Sequence, residues 1–240
     1  MCTLSWVMED QGYHLFFNRD EHKSRTPAQP PKKFSNNGIH YLMPIDPVGK
    51  GSWIATNQFG VTIGLLNNYQ GVTPDGELIS RGQIVKQLAE SRTLHDIRSE
   101  IEEMPLHRYA PFTVVIIIPS HPVLCYQWNG HGLHSIKATS PMVSSGVSLK
   151  EVTEYREAIF HSLVDQSENS TKLQAFHLHQ HSDYGYLSVL MHRDDAQTVS
   201  MTSVEVNNRK ITMKYHSIPV DKQEKMCQEP CQIIDRDFIK

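Results

Sequence analysis

Cys2 directly follows Met1, and a side chain as small as Cys permits removal of the initiator methionine. The trimmed chain would begin with a cysteine bearing a thiol and a free α-amine. Such an amine titrates near pH 7.7–8.0. It can therefore serve as general base for the thiol beside it, with no separate histidine. Arg19 and Asp20 are the residues that would complete this chemistry. A guanidinium beside the sulfur favours thiolate, and a carboxylate can hold the amine by hydrogen bonding. The competing structural reading is a small residue opening a buried strand, followed by a solvated charged turn.

The elements around these residues bring them together. Thr3–Met8 and Tyr13–Asn18 are β-prone runs separated by Glu9-Asp10-Gln11-Gly12, which predicts a hairpin. Antiparallel pairing returns the end of the second strand to the start of the first, so Arg19 and Asp20 fall near Cys2. Residues Asp20–Asn37 carry Pro27, Pro30 and Pro31 and read as a loop. A second hairpin is expected from Ser52–Asn57 and Val61–Asn68 about Gln58-Phe59-Gly60, then a turn-rich Gly71–Gly76.

The period then changes. Ile84, Val85 and Leu88 have helical spacing within Ile79–Ser91, and Leu94, Ile97 and Ile101 mark a helix over Thr93–Met104 opened by a Thr93-x-x-Asp96 capping box. Phe112–Pro119 reads as a buried strand, and Val123–Trp128 and Gly132–Lys137 flank the hairpin dipeptide Asn129-Gly130. Ser148-x-x-Glu151 predicts a helix reaching about Gln166, with a helical or irregular segment at Thr171–Phe176. Tyr186–Arg193, Thr198–Asn207 and Lys210–Ile218 read as strands. Strands and helices come in blocks, which argues against a doubly wound parallel sheet. The expected class is α+β: a four-layer αββα sandwich of two largely antiparallel sheets, in one domain over 1–240.

Composition agrees with a globular chain. Of 240 residues, 39% are hydrophobic and 20% charged, and the net charge is −3. That balance offers no general field for nucleic acid or an anionic membrane. No apolar run approaches a membrane span, and the N-terminus lacks a basic segment ahead of an apolar one, so a cytoplasmic location is expected. Cys2, Cys125, Cys227 and Cys231 are expected as thiols, with a Cys227–Cys231 disulfide open on oxidation. Cys-x3-Cys without a second pair does not make a zinc site. His177, His179 and His181 alternate and would share one face of a strand, where imidazoles can hold a metal or haem. A polar rim beside Phe176 and Leu178 is the simpler reading. No metal or cofactor is therefore assigned. Gly49-Lys50-Gly51-Ser52 lacks the upstream glycine of a phosphate loop.

Phe17-Asn18-Arg19-Asp20-Glu21 behind Met1-Cys2-Thr3 resembles the Asn-Arg-Asp-Glu family, also called the transport and Golgi organisation 2 family. More distantly the chain is similar to choloylglycine hydrolases, N-terminal nucleophile enzymes that include bile salt hydrolases and penicillin V acylases. The likeness extends over Gly51–Asn57, Gly60-Val61 and Asn68-Tyr69. It implies catalytic roles for Cys2, Arg19 and Asp20, and for Asn68 as an oxyanion donor, with Asn67 adjacent as the alternative. Asn18, Asn67 and Tyr69 are the implied substrate-binding positions. The chain departs from the family where a Ser-Asn pair is replaced at Val143-Ser144-Ser145-Gly146. A later Tyr-Gly-Thr-Arg segment corresponds to Tyr184–Ser188, without its Arg. The implied activity is hydrolysis or acyl transfer at a linear amide bond of a small molecule. The alternative is a non-catalytic carrier of a hydrophobic ligand such as haem.

Overall fold

A computed structural model describes residues 1–164, 170–219 and 226–238. The elements in chain order begin with β1 (Cys2–Glu9), β2 (Gly12–His22), β3 (Gln29–Asn36), β4 (Ile39–Ile45), β5 (Ile54–Asn57) and β6 (Thr62–Asn67). Helices α1 (Gly82–Leu88) and α2 (Leu94–Glu103) follow, then β7 (Phe112–Ile117), β8 (Leu124–Trp128), β9 (Leu133–Ser135) and β10 (Met142–Ser144). The chain continues with α3 (Leu149–Leu163), α4 (Ser170–His177), β11 (Ala196–Val206), β12 (Lys210–Ser217), β13 (Cys227–Gln228) and β14 (Gln232–Asp235).

Two seven-stranded antiparallel sheets result. One runs β10-β1-β2-β11-β12-β13, with β14 also on β12, and the other runs β3 to β9 in sequence order. Alternation within the strands explains the layers, since successive side chains point to opposite faces. Leu4, Trp6, Leu15 and Phe17 of the first sheet meet Leu42, Ile54, Leu66, Val115 and Ile117 of the second in the central core. The outer face of the second sheet buries Ile63, Leu65, Val114 and Ile116 under Ile84, Val85, Leu88, Ile97 and Ile101 of α1 and α2. Val7, Phe16 and Met201 on the outer face of the first sheet pack against Phe160, Leu173 and Phe176 of α3 and α4. This is the αββα sandwich expected from the block order.

Several local expectations are corrected. Asp20–Asn37 is not all loop: β2 runs on to His22, and Gln29–Asn36 is a strand despite Pro30 and Pro31. Strand β3 is the edge of its sheet, with a register shift between Gln29 and Lys32, and an edge tolerates residues that cannot donate to a ladder. Tyr186–Arg193 is not a strand; among the described residues the only β-pairing there is an isolated bridge from His192 to Gln197. The carbonyls of Tyr186, Leu187 and Ser188 instead accept bonds from the Arg156 guanidinium. The Thr93–Asp96 capping box forms with both reciprocal bonds. The Ser148 box does not, because Ser148 is left-handed at φ 45° and its side chain caps nothing. Helix α3 ends at Leu163, and Gln166 lies outside the described residues.

Candidate active site

The register of the first hairpin sets the site. Cys2 lies opposite Arg19 on β2 and opposite Ser144 on β10. Residues directly opposite in an antiparallel pair share a face. Cys2 and Arg19 therefore both face inward, toward the second sheet, at the strand ends where a cleft of about 300 Å³ opens. Its walls include Cys2, Arg19, Asp20, Trp53, Asn67, Tyr69 and Arg81. Both Cys2 and Arg19 are buried. The Arg19 guanidinium stacks 4.5 Å over Trp53, bonds Glu21 at 3.2 Å and lies 3.9 Å from Asp46.

Asp20, one residue on, has the opposite parity and faces the helical layer. There its Oδ1 accepts a 2.6 Å bond from Thr198, its cross-strand partner on β11. Asp20 Oδ2 is buried and has no partner. Around Asp20 the chain terminus folds back: its N–H donates to the Met1 carbonyl at 3.0 Å, and its own carbonyl accepts from the Met1 α-ammonium at 3.4 Å. Tyr69 Oη accepts from the same ammonium at 3.0 Å and from the Asn67 amide at 3.0 Å. The Met1 thioether accepts from the Ser145 hydroxyl at 3.0 Å and lies 3.8 Å from Arg193.

Burial pushes the Cys2 thiol above its ordinary value; the nearby α-ammonium, and more weakly Arg19, oppose this, while Asp20 adds to it. Arg19 lowers the thiol as expected but is the weakest of these influences, its guanidinium also serving Glu21, Asp46 and Trp53. Burial also raises the Asp20 carboxyl, against the pull of Arg156, the α-ammonium and Thr198. Arg156 is fully buried on α3 and donates to Thr3 Oγ1 at 2.5 Å and to the Ser188 carbonyl at 2.7 Å.

Two of the residues expected to bind substrate or transition state lie elsewhere. Asn18 is fully buried on the helical side, where its amide donates to the carbonyls of His177 and Val189 at 2.8 and 3.0 Å. Asn68 is one residue past β6; its amide donates to the Trp128 carbonyl at 3.2 Å, and its Oδ1 accepts from Gln70 N–H at 3.1 Å. Asn67 shares its strand face with Leu65, and both line the cleft. Arg193 and Ser145, both beside Met1, were not singled out as site residues. No sequence signal marked Arg193, which comes near Met1 only through the pairing of the following strand, β11, with β2.

The three alternating histidines do not share a strand. His177 ends α4, is buried, and pairs with Ser5 Oγ at 2.7 Å; burial, with Arg156 adding, pushes its pKa down to about 3 and keeps it neutral. His179 pairs with Tyr155 at 2.8 Å, and His181 accepts from the N–H groups of Asp183 and Tyr184. Among the described residues no group of three His, Cys, Asp or Glu side chains is placed to hold a metal ion. All four cysteines are free, Cys2 and Cys125 buried and Cys227 and Cys231 exposed. No helix among the described residues is long and apolar enough to cross a membrane.

Two stacked antiparallel sheets between helical layers, with a cysteine opening an inner strand, define the N-terminal nucleophile hydrolase fold, and solved structures agree. Penicillin V acylase from Agrobacterium tumefaciens matches with a TM-score of 0.57 at 10% identity, over 90% of this chain and 83% of that one. A variant of conjugated bile acid hydrolase from Clostridium perfringens matches with a TM-score of 0.58 at 8% identity, over 100% and 98%. The Caenorhabditis elegans ortholog of N-acylethanolamine-hydrolyzing acid amidase gives 0.54 at 10% identity, over 83% and 91%. Within that fold the sequence is more specific: residues 1–229 match the family model Transport and Golgi organisation 2, and the chain belongs to that family. No curated protein sequence matches it.

Proposed function

We propose that the chain, as a single domain over 1–240, is a cysteine N-terminal nucleophile amidohydrolase that acts on a linear amide C–N bond once Met1 is removed. The observation that carries this reading is the buried, unpartnered Oδ2 of Asp20 beside the chain terminus. A buried carboxylate oxygen without a donor is costly, and the α-amine of a trimmed Cys2 would supply one.

In this reading the Cys2 thiol passes its proton to its own α-amine, and the sulfur attacks the amide carbonyl. The tetrahedral oxyanion accepts a bond from the Asn67 amide, which Tyr69 holds at the cleft wall. Collapse breaks the C–N bond, and the α-ammonium gives its proton to the leaving nitrogen. Water then attacks the thioester, losing its proton to the α-amine; the acid leaves and the thiol is restored. Asp20 holds the amine throughout, and Arg19 places positive charge on the sulfur's side of the strand. Substrates in the range of structural neighbours, which include acylases and an acid amidase, fit this chemistry.

The test is amine release from a panel of N-acyl amides by protein shown to lack Met1. Wild type should turn over at least one member and Cys2→Ala none, with a remnant in Cys2→Ser. Equal release by wild type and Cys2→Ala would sink the reading.

A further inference from the structure

Two serines close the end of β10 beside the nucleophile, and only one of their hydroxyls is engaged. Ser145 Oγ lies within hydrogen-bond distance of the Met1 thioether and the Val147 carbonyl, and accepts from the Val147 N–H at 3.1 Å. Ser144 Oγ is buried and has no hydrogen-bond partner. The whole residue is only 6% exposed, so bulk water does not take the place of that partner. A hydroxyl left in this state costs stability.

The register shows what the hydroxyl faces. Ser144 is the cross-strand partner of Cys2 in the antiparallel pair of β1 and β10. Directly opposed residues share a face, with Cβ atoms about 4.5–5.5 Å apart. Two steps along the same strands, Leu4 lies opposite Met142; Leu4 belongs to the central core between the sheets, and Met142 packs against it. Cys2 belongs to that core too. Ser144 and Cys2 therefore both point inward, toward the second sheet. Strand β10 is the edge of its sheet, so among the described residues Cys2 is the only residue paired with Ser144.

A neutral thiol is a weak acceptor, whereas an ionised acceptor draws a hydrogen bond about twice as strong as a neutral one. An unpartnered hydroxyl is what the thiol form of Cys2 leaves beside it. We infer that Ser144 donates a hydrogen bond to the Cys2 sulfur when that sulfur is a thiolate, and so eases ionisation of the nucleophile. The ionisable groups acting on the sulfur are the terminal ammonium, Arg19 and Asp20, with Arg81 just before α1 and Arg156 on α3 in its field. Glu21 and Tyr69 line the same cleft. Ser144 stands apart from all of these as an uncharged donor whose only match is the sulfur opposite. The inference rests on the proposed reaction for the free amine and the need for a thiolate; the placement of the hydroxyl stands on the register alone.

The experiment reads ionisation and not turnover. In protein shown to lack Met1, the rate of iodoacetamide alkylation at Cys2 is followed by peptide mapping from about pH 5 to about pH 10, since thiolate is the reacting form. The midpoint belongs to the coupled thiol and α-amine, so it is compared between variants. Ser144→Ala should raise it by about 1–2 pH units, the size of one hydrogen bond to a charged group. Ser144→Thr keeps the hydroxyl and should hold the wild-type midpoint. Thr212→Ala removes another buried, unpartnered hydroxyl, on β12 and outside the cleft, and should leave the midpoint where it is. A midpoint unmoved in Ser144→Ala, or moved as far by Ser144→Thr or Thr212→Ala, would overturn the inference. Should Ser144→Ala fail to fold, Ser144→Gly removes the same hydroxyl at a sheet edge and decides in its place. Failure to turn over any N-acyl amide while the shift holds would count against the hydrolase reading and not against Ser144. Turnover that depends on Cys2 without the shift would count against Ser144 alone.

Discussion

Replacing Arg156 should damage both the fold and the charge state of Asp20, and the two effects can be separated by pH. The guanidinium is fully buried and bonds Thr3 Oγ1 and the carbonyls of Tyr186, Leu187 and Ser188. No carboxylate lies within salt-bridge distance of it among the described residues; Asp20 is the acid whose field it balances. Four bonds from a charged donor at about 1.5–3 kcal/mol each would be an overestimate, since water enters the cavity left behind and satisfies part of the carbonyl row. The cost of breaking a buried charged network, about 3–5 kcal/mol, is the better figure for Arg156→Met. The pH dependence follows from Asp20. Its folded carboxyl is already raised above the ordinary 3.8, chiefly by burial, and Arg156 is the largest influence holding it down. Without Arg156 it rises further. A raised folded value means the folded state holds its proton more tightly, so stability is retained below the unfolded value and lost as pH climbs through the folded one. Urea denaturation of wild type and Arg156→Met at pH 4.5 and pH 7.5 should give a larger deficit at pH 7.5. An equal deficit at both pH values would refute the coupling to Asp20, and a deficit under about 1 kcal/mol would refute the network.

The two neighbouring asparagines should separate cleanly. Asn67→Ala should lower kcat by about 10²–10³-fold, the scale of one lost oxyanion donor. Asn68→Ala should leave kcat within a few fold and cost about 1 kcal/mol in urea melts, because its bonds go to Trp128 and Gln70. With Met1 attached, iodoacetamide followed by peptide mapping should label exposed Cys227 and Cys231 ahead of buried Cys2 and Cys125, whose thiols burial pushes up. In trimmed protein Cys2 should gain reactivity relative to Cys125; an unchanged order would show that Met1 does not shield it.

How much of this was legible in sequence varies by element. The first hairpin was, because its alternating core residues and its turn agree on one register, and that register places Arg19 opposite Cys2. The αββα order followed from blocks of period. Strand β3 was hidden by Pro30 and Pro31, whose meaning depends on whether a strand is an edge. The segment Tyr186–Arg193 has a strand's composition, but a helix residue 30 or more positions away, Arg156, takes its carbonyls. The same long-range information moved Asn18 from substrate to scaffold: Asn18 and Asp20 share one face, and only the helices above it show that Asn18 is a tie to His177 and Val189. The histidine alternation misled because α4 ends at His177, so that period two fell across a helix end.

The account turns on a free α-amine at Cys2 next to the reacting sulfur. Mass spectrometry of untagged protein, acid-quenched during incubation with the panel of N-acyl amides and then peptide-mapped, tests this in one measurement. The account predicts a chain lacking Met1, with the substrate's acyl group on Cys2 and on no other cysteine. An acylated or catalytically active chain that retains Met1, or an acyl group found only on another residue, would contradict it.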